Sequence, residues 1–96
     1  MAVGYQLVTS DIVLGTSGTP VAIYGMNILS SGGGAGVVKL RSGTAVGGTI
    51  IIQEVGTTSQ GVSKNYGGNG IVFPSGCFVD VDANVVSVAV EFKTVS

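Results

Sequence analysis

The sequence contains no histidine, no tryptophan and a single cysteine. Without histidine the commonest general base, the commonest metal ligand and every histidine-dependent triad are excluded. A lone cysteine forms no internal disulfide, and with no histidine beside it the four ligands of a zinc site are not assembled. Cys77 is read instead as a small buried apolar side chain. Charge is equally scarce. Four basic residues (Lys39, Arg41, Lys64, Lys93) and five acidic ones make the chain 9% charged, with a net charge of −1; the usual charged fraction is about 25%. No basic cluster could neutralise several phosphates, so nucleic-acid binding lacks its electrostatic footprint. No stretch approaches the roughly 20 consecutive apolar residues of a spanning helix. Eight membrane strands of about 9–11 residues would leave a chain this short little for turns, so a membrane barrel is not expected either. Residues Met1 to Gln6 carry neither a basic segment nor a long apolar core, so no secretory signal is read and a cytoplasmic product is expected.

What the chain does have is glycine, 17 residues of it, together with valine, isoleucine and threonine. No glycine-free window carries the i, i+3, i+4, i+7 apolar stripe of a helix. Short β-branched runs alternate with glycine-bearing turns every 8–12 residues or so, the pattern of a small all-β domain. Tyr5 to Thr9 and Asp11 to Leu14 form a first extended stretch. Pro20 marks the start of the next strand, because proline is tolerated at a strand's first residue and not mid-ladder. In Val21 to Ser30, alternation places Ala22, Tyr24, Met26 and Ile28 on one face. Val21, Ile23, Gly25, Asn27 and Leu29 fall on the other, and Gly25 suggests a bulge or a close backbone approach. Ser30 to Gly36 reads as a flexible loop. Val38 and Leu40 alternate with Lys39 and Arg41, the signature of a half-buried strand. Thr49 to Val55 centres on three isoleucines, and Asn69-Gly70 signals a turn. At the end, Cys77, Val79 and Val81, then Val86, Val88, Val90 and Phe92, predict a hairpin reversed at Ala83-Asn84. The fold expected is all-β: a single domain over residues 1–96, a small β-sandwich of about seven or eight short antiparallel strands. Jelly-roll, immunoglobulin-like and small-barrel forms all fit.

Few constellations could carry chemistry. Asp80 and Asp82 share a strand face and could form an acid/base pair or a cation site. They read more simply as a solvated face that resists edge aggregation. Asp80, Asp82, Asn84 and Glu91 match positions 1, 3, 5 and 12 of an EF-hand loop, but Val85 stands where the glycine of the sharp turn is required. The loops match neither phosphate-binding fingerprint: Gly36 leads into Val37-Val38-Lys39 and a strand, and Val37 occupies the third glycine position of G-x-G-x-x-G. The three tyrosines (Tyr5, Tyr24, Tyr66) could stack on sugars, or pack core and rim. No catalytic, cofactor-binding or metal-binding residue is assigned, and no enzyme is expected. A surface so poor in charge, with sheet edges so thinly guarded, is expected to be covered by neighbouring protein.

Three phrases resemble small virion proteins of tailed bacteriophages, especially those of marine bacteria and cyanobacteria. They are Tyr24-Gly25-Met26-Asn27-Ile28-Leu29, Gly36 to Gly43, and Gly70 to Asp80, within a segment from Thr19 to Phe92. The resemblance implies a β-sandwich in a phage particle, made in the host cytoplasm. It would be a head decoration or cement protein packed on the major capsid protein, often as trimers at threefold positions. A tail or neck component is a related expectation. No ligand or catalytic residue carries over. A carbohydrate-binding module and another assembly subunit, such as a fibre or surface-layer piece, are the alternatives. A lectin should expose Tyr66 or Tyr24 beside Asn or Asp in a shallow groove; a cement protein should expose an apolar or loop surface that a neighbour completes.

Overall fold

The computed structural model describes residues 4–14, 19–43 and 45–94. They form nine strands: β1 (Gly4–Val8), β2 (Ile12–Leu14), β3 (Val21–Ser30), β4 (Val37–Ser42), β5 (Ile50–Val55), β6 (Gly61–Asn65), β7 (Ile71–Phe73), β8 (Cys77–Val81) and β9 (Val85–Thr94). No helix of the described residues is long and apolar enough to cross a membrane. All strand pairs are antiparallel. The first sheet runs β1-β9-β3-β6, with β7 also on β3, and the second runs β2-β8-β4-β5. The expected all-β sandwich is therefore present, with nine strands where seven or eight were expected. The two parts of the first extended stretch are separate strands, β1 and β2, and they lie in different sheets.

The strand order separates the architectures left open by the sequence. The pairs β4–β5, β3–β6, β2–β8 and β1–β9 are nested, as in one long hairpin folded about the turn after β4. The hairpin is then rolled, and β3–β9 and β4–β8 stitch its two arms together. This is the jelly-roll order rather than the immunoglobulin one. Two further expectations are corrected by it. The last two strands do not make a hairpin: β8 pairs with β2 and β4, while β9 pairs with β1 and β3. Both strands are apolar on one face, and the turn lays those faces across the core instead of side by side. The loop at 31–36 is also tied down. Ser31 N donates to Asn84 O at 2.8 Å, and Gly36 N donates to the buried Ser30 Oγ at 2.9 Å. A Cβ on Gly36 would stand 2.6 Å from Val85 Cγ2, so this glycine serves close packing.

The core is drawn from both sheets. Val8, Val21, Ile23, Met26, Ile28, Phe73, Val88 and Val90 face Leu14, Val38, Leu40, Ile52, Cys77 and Val79. In β3 the alternation expected from sequence fails halfway. A register shift between Ile23 and Gly25 leaves Tyr24 as an extra residue, and one extra residue reverses the parity of every side chain beyond it. Val21 and Ile23 thus point inward before the bulge, and Met26 and Ile28 after it. The outer face takes Ala22, then Gly25, Asn27 and Leu29. Gly25 meets both halves of its expectation: it adjoins the bulge, and a Cβ there would lie 2.7 Å from Lys64 O.

Candidate functional site

Asp80 and Asp82 line one pocket with Val37, Lys39 and Gln53, but each carboxylate makes its own hydrogen bond. Asp80 lies on the outer face of the second sheet, opposite Lys39, and its Oδ2 accepts from Arg41 Nε at 3.0 Å. Arg41 Nη1 also donates to Gly48 O at 3.0 Å. Asp82 caps the reversal, where its Oδ1 accepts from Asn84 N at 3.0 Å. Glu91 sits in β9 of the opposite sheet, so the EF-hand-like spacing is scattered in space. Among the described residues, no three His, Cys, Asp or Glu side chains cluster to hold a metal ion. Cys77 is fully buried, and burial pushes its thiol up to about 12.

The charged group that the sequence did not single out is Glu54. It lies on β5, at the rim where the two sheets come together. Its Oε2 accepts from Tyr66 Oη at 2.7 Å, and its Oε1 lies 3.8 Å from Lys64 Nζ. Desolvation raises the Tyr66 phenol well above its ordinary range, and the Glu54 hydrogen bond and charge add to the shift. Tyr66 thus closes the seam between β5 and β6, with its hydroxyl engaged by Glu54.

The outer face of the first sheet carries small side chains at its centre: Gly25 on β3, Ala89 on β9 and Ser63 on β6. Register aligns Leu7, Ala89, Asn27 and Ser63 in one row, and Tyr5, Glu91, Gly25 and Asn65 in the next. Gly25, Ala89 and Ser63 floor a groove rimmed by Tyr5, Asn27 and Glu91. The groove runs on past Glu91 to Tyr24, Asn65, Gly67 and Gly68. The Glu91 carboxylate, by its charge first and by its hydrogen bond second, raises the Tyr5 hydroxyl above its usual value. Tyr24 therefore stands beside an asparagine in a shallow groove, as a lectin requires, whereas Tyr66 does not.

The four sheet edges complete the inventory of surfaces. Tyr5 and Leu7 on β1 are 73% and 65% exposed. Ile50, Ile51 and Val55 on β5, and Val46 in the turn before it, are also exposed. The sequence signalled uncovered apolar surface through its shortage of charge, but gave no indication of which strands would carry it. Comparison with protein-family models, curated proteins and solved structures finds no match to this chain.

Proposed function

We propose that this chain is a non-enzymatic structural subunit of a virion, a decoration or cement protein that packs on the major capsid protein and stabilises the shell. The observation that carries the reading is the run of exposed apolar side chains along edge strands, Tyr5 and Leu7 on β1 and Ile50, Ile51 and Val55 on β5. Isolated exposed apolar residues are ordinary, but rows of them on open strands are where a neighbour docks. The bacteriophage resemblance of Tyr24 to Leu29, Gly36 to Gly43 and Gly70 to Asp80 supports the same assignment. So does the jelly-roll order, an architecture shared by viral capsid and lectin domains. Self-association belongs to the proposal, and the resemblance implies threefold positions. Co-sedimentation with assembled capsid-protein shells tests it: saturable binding that raises the shell's melting temperature is expected, and no binding at micromolar concentration overturns it.

A second reading rests on the groove of the first sheet. Tyr24 and Tyr5 offer rings, and Asn27, Asn65 and Glu91 offer hydroxyl partners, so the face suits a carbohydrate. A glycan screen with Tyr24→Ala as control decides it: binding lost in the variant moves the protein to the lectin class.

A further inference from the structure

The edges of this sandwich are not equally protected. Natural sheets guard their edges with very short strands, charges, inward-pointing ionic groups or bulges. β2 and β7 are three residues each. β5 carries a register shift at Ile51 and the inward-pointing Glu54. β6 carries Lys64. β1 has none of these: Gly4-Tyr5-Gln6-Leu7-Val8 is five residues long, uncharged, free of proline and in unbroken register with β9. It also bears the two most exposed large apolar side chains among the described residues, Tyr5 and Leu7.

We infer that β1 pairs with the β1 of a second copy of this chain, antiparallel about a two-fold axis at Gln6, joining two first sheets into one. The inference rests on the assembly reading and names the partner of one of its surfaces. The strand is self-complementary about its centre. Gln6 meets Gln6 of the other copy, Gly4 meets Val8, and Tyr5 meets Leu7 twice on the outer face, the aromatic–aliphatic cross-strand pair that stabilises sheets. Charge permits it. Each Glu91 flanks its own Tyr5 on β9, so the two carboxylates stand three strand spacings apart, about 14 Å or more. That exceeds the Debye length of about 8 Å at physiological salt. One five-residue strand pair buries less than the roughly 1,200 Å² of a standard stable interface, so the dimer should be reversible and dependent on concentration.

Register-specific cross-linking provides the test. Paired Cα atoms in an antiparallel ladder lie about 4.5–5.5 Å apart, within reach of a disulfide. Gln6→Cys should therefore oxidise to a covalent dimer. Tyr5→Cys should not, because the two Tyr5 Cα atoms would be about 8 Å apart. Cys77, buried and protonated, stays out of the reaction. Sedimentation should show a wild-type monomer–dimer equilibrium. Leu7→Lys, at a side chain already 65% exposed, should shift it to monomer and should melt with the wild type at dilutions where both are monomeric. A wild type that stays monomeric, a trimer indifferent to Leu7→Lys, or equal cross-linking of both cysteine variants overturns the β1 pairing. Shell co-sedimentation reads the virion assignment separately, so either can fail alone.

Discussion

The two outer faces of the sandwich cover one core and are finished differently. On the second sheet, Lys39, Arg41 and Asp80 stand in register on neighbouring strands, and Arg41 locks Asp80 at 3.0 Å. On the first sheet, β3 presents Ala22, Gly25, Asn27 and Leu29, and β1 presents Tyr5 and Leu7. Glu91 and Lys93 on β9 are the charges of that face. The second sheet thus meets water with its own ion pair, while the first has small side chains, a flat groove and an open strand. The contrast indicates where a partner would add free energy: covering β1 and the small side chains beside it buries no ion pair, so that desolvation cost is avoided.

The largest test of this contrast is to remove the strand at the middle of the first sheet. Ending the chain before Val88 takes away Val88, Val90 and Phe92 and strips partners from both β1 and β3; loss of cooperative folding is expected by circular dichroism and calorimetry. The same depth on the other side is probed by Leu40→Ala, which should cost about 2–5 kcal/mol in denaturant unfolding, the range for a fully buried leucine. At the seam between the sheets, Glu54→Ala leaves the Tyr66 hydroxyl without its acceptor and should cost about 1–3 kcal/mol.

Two groups whose pKa values are raised in the folded protein, Cys77 in the second sheet and Tyr66 at the seam, give both sides one pH response. Their contribution is complete below the unfolded values of 9.0 and 10.0. It is lost as pH climbs toward the raised ones, because the unfolded chain releases its protons first. Melting temperature should fall above about pH 9, and Cys77→Ala should move the onset upward. The smallest effect belongs to the surface ion pair. Asp80→Asn should cost no more than about 1 kcal/mol, and the double variant with Asp82→Asn should melt alike with calcium or chelator. A calcium-dependent shift in the wild type alone would overturn the account of these carboxylates.

Local pattern carried much of the fold. The inward set of Val38, Leu40, Cys77, Val79, Val88 and Val90 is legible because alternation holds across those residues, whereas a register shift at the start of β9 buries Val85 and leaves Val86, expected on the apolar face, exposed. Cys77 is buried as its residue type implies, and Gly25 adjoins the bulge that it signalled. What was illegible depends on partners distant in sequence. The parity flip at Tyr24 hides because two-residue alternation looks the same on either side of an extra residue. The turn at Ala83-Asn84 suits a hairpin and a crossover between sheets equally well. The seam joins Glu54 to Tyr66, twelve positions away and just past β6 of the other sheet, so no spacing rule points to it. The carboxylate partner of Tyr66 is likewise invisible until the chain is rolled.

The nested strand order also sets a schedule for synthesis. Tyr5 leaves the ribosome long before Glu91, its partner on β9. At about 5–20 residues per second, that gap is about 4–17 s. Throughout it β1 is open on both sides, and closure of so long a loop is slow even afterwards. The growing chain therefore exposes its least guarded strand for longest, and crowded polysomes, where many copies emerge together, are where premature pairing between chains would begin.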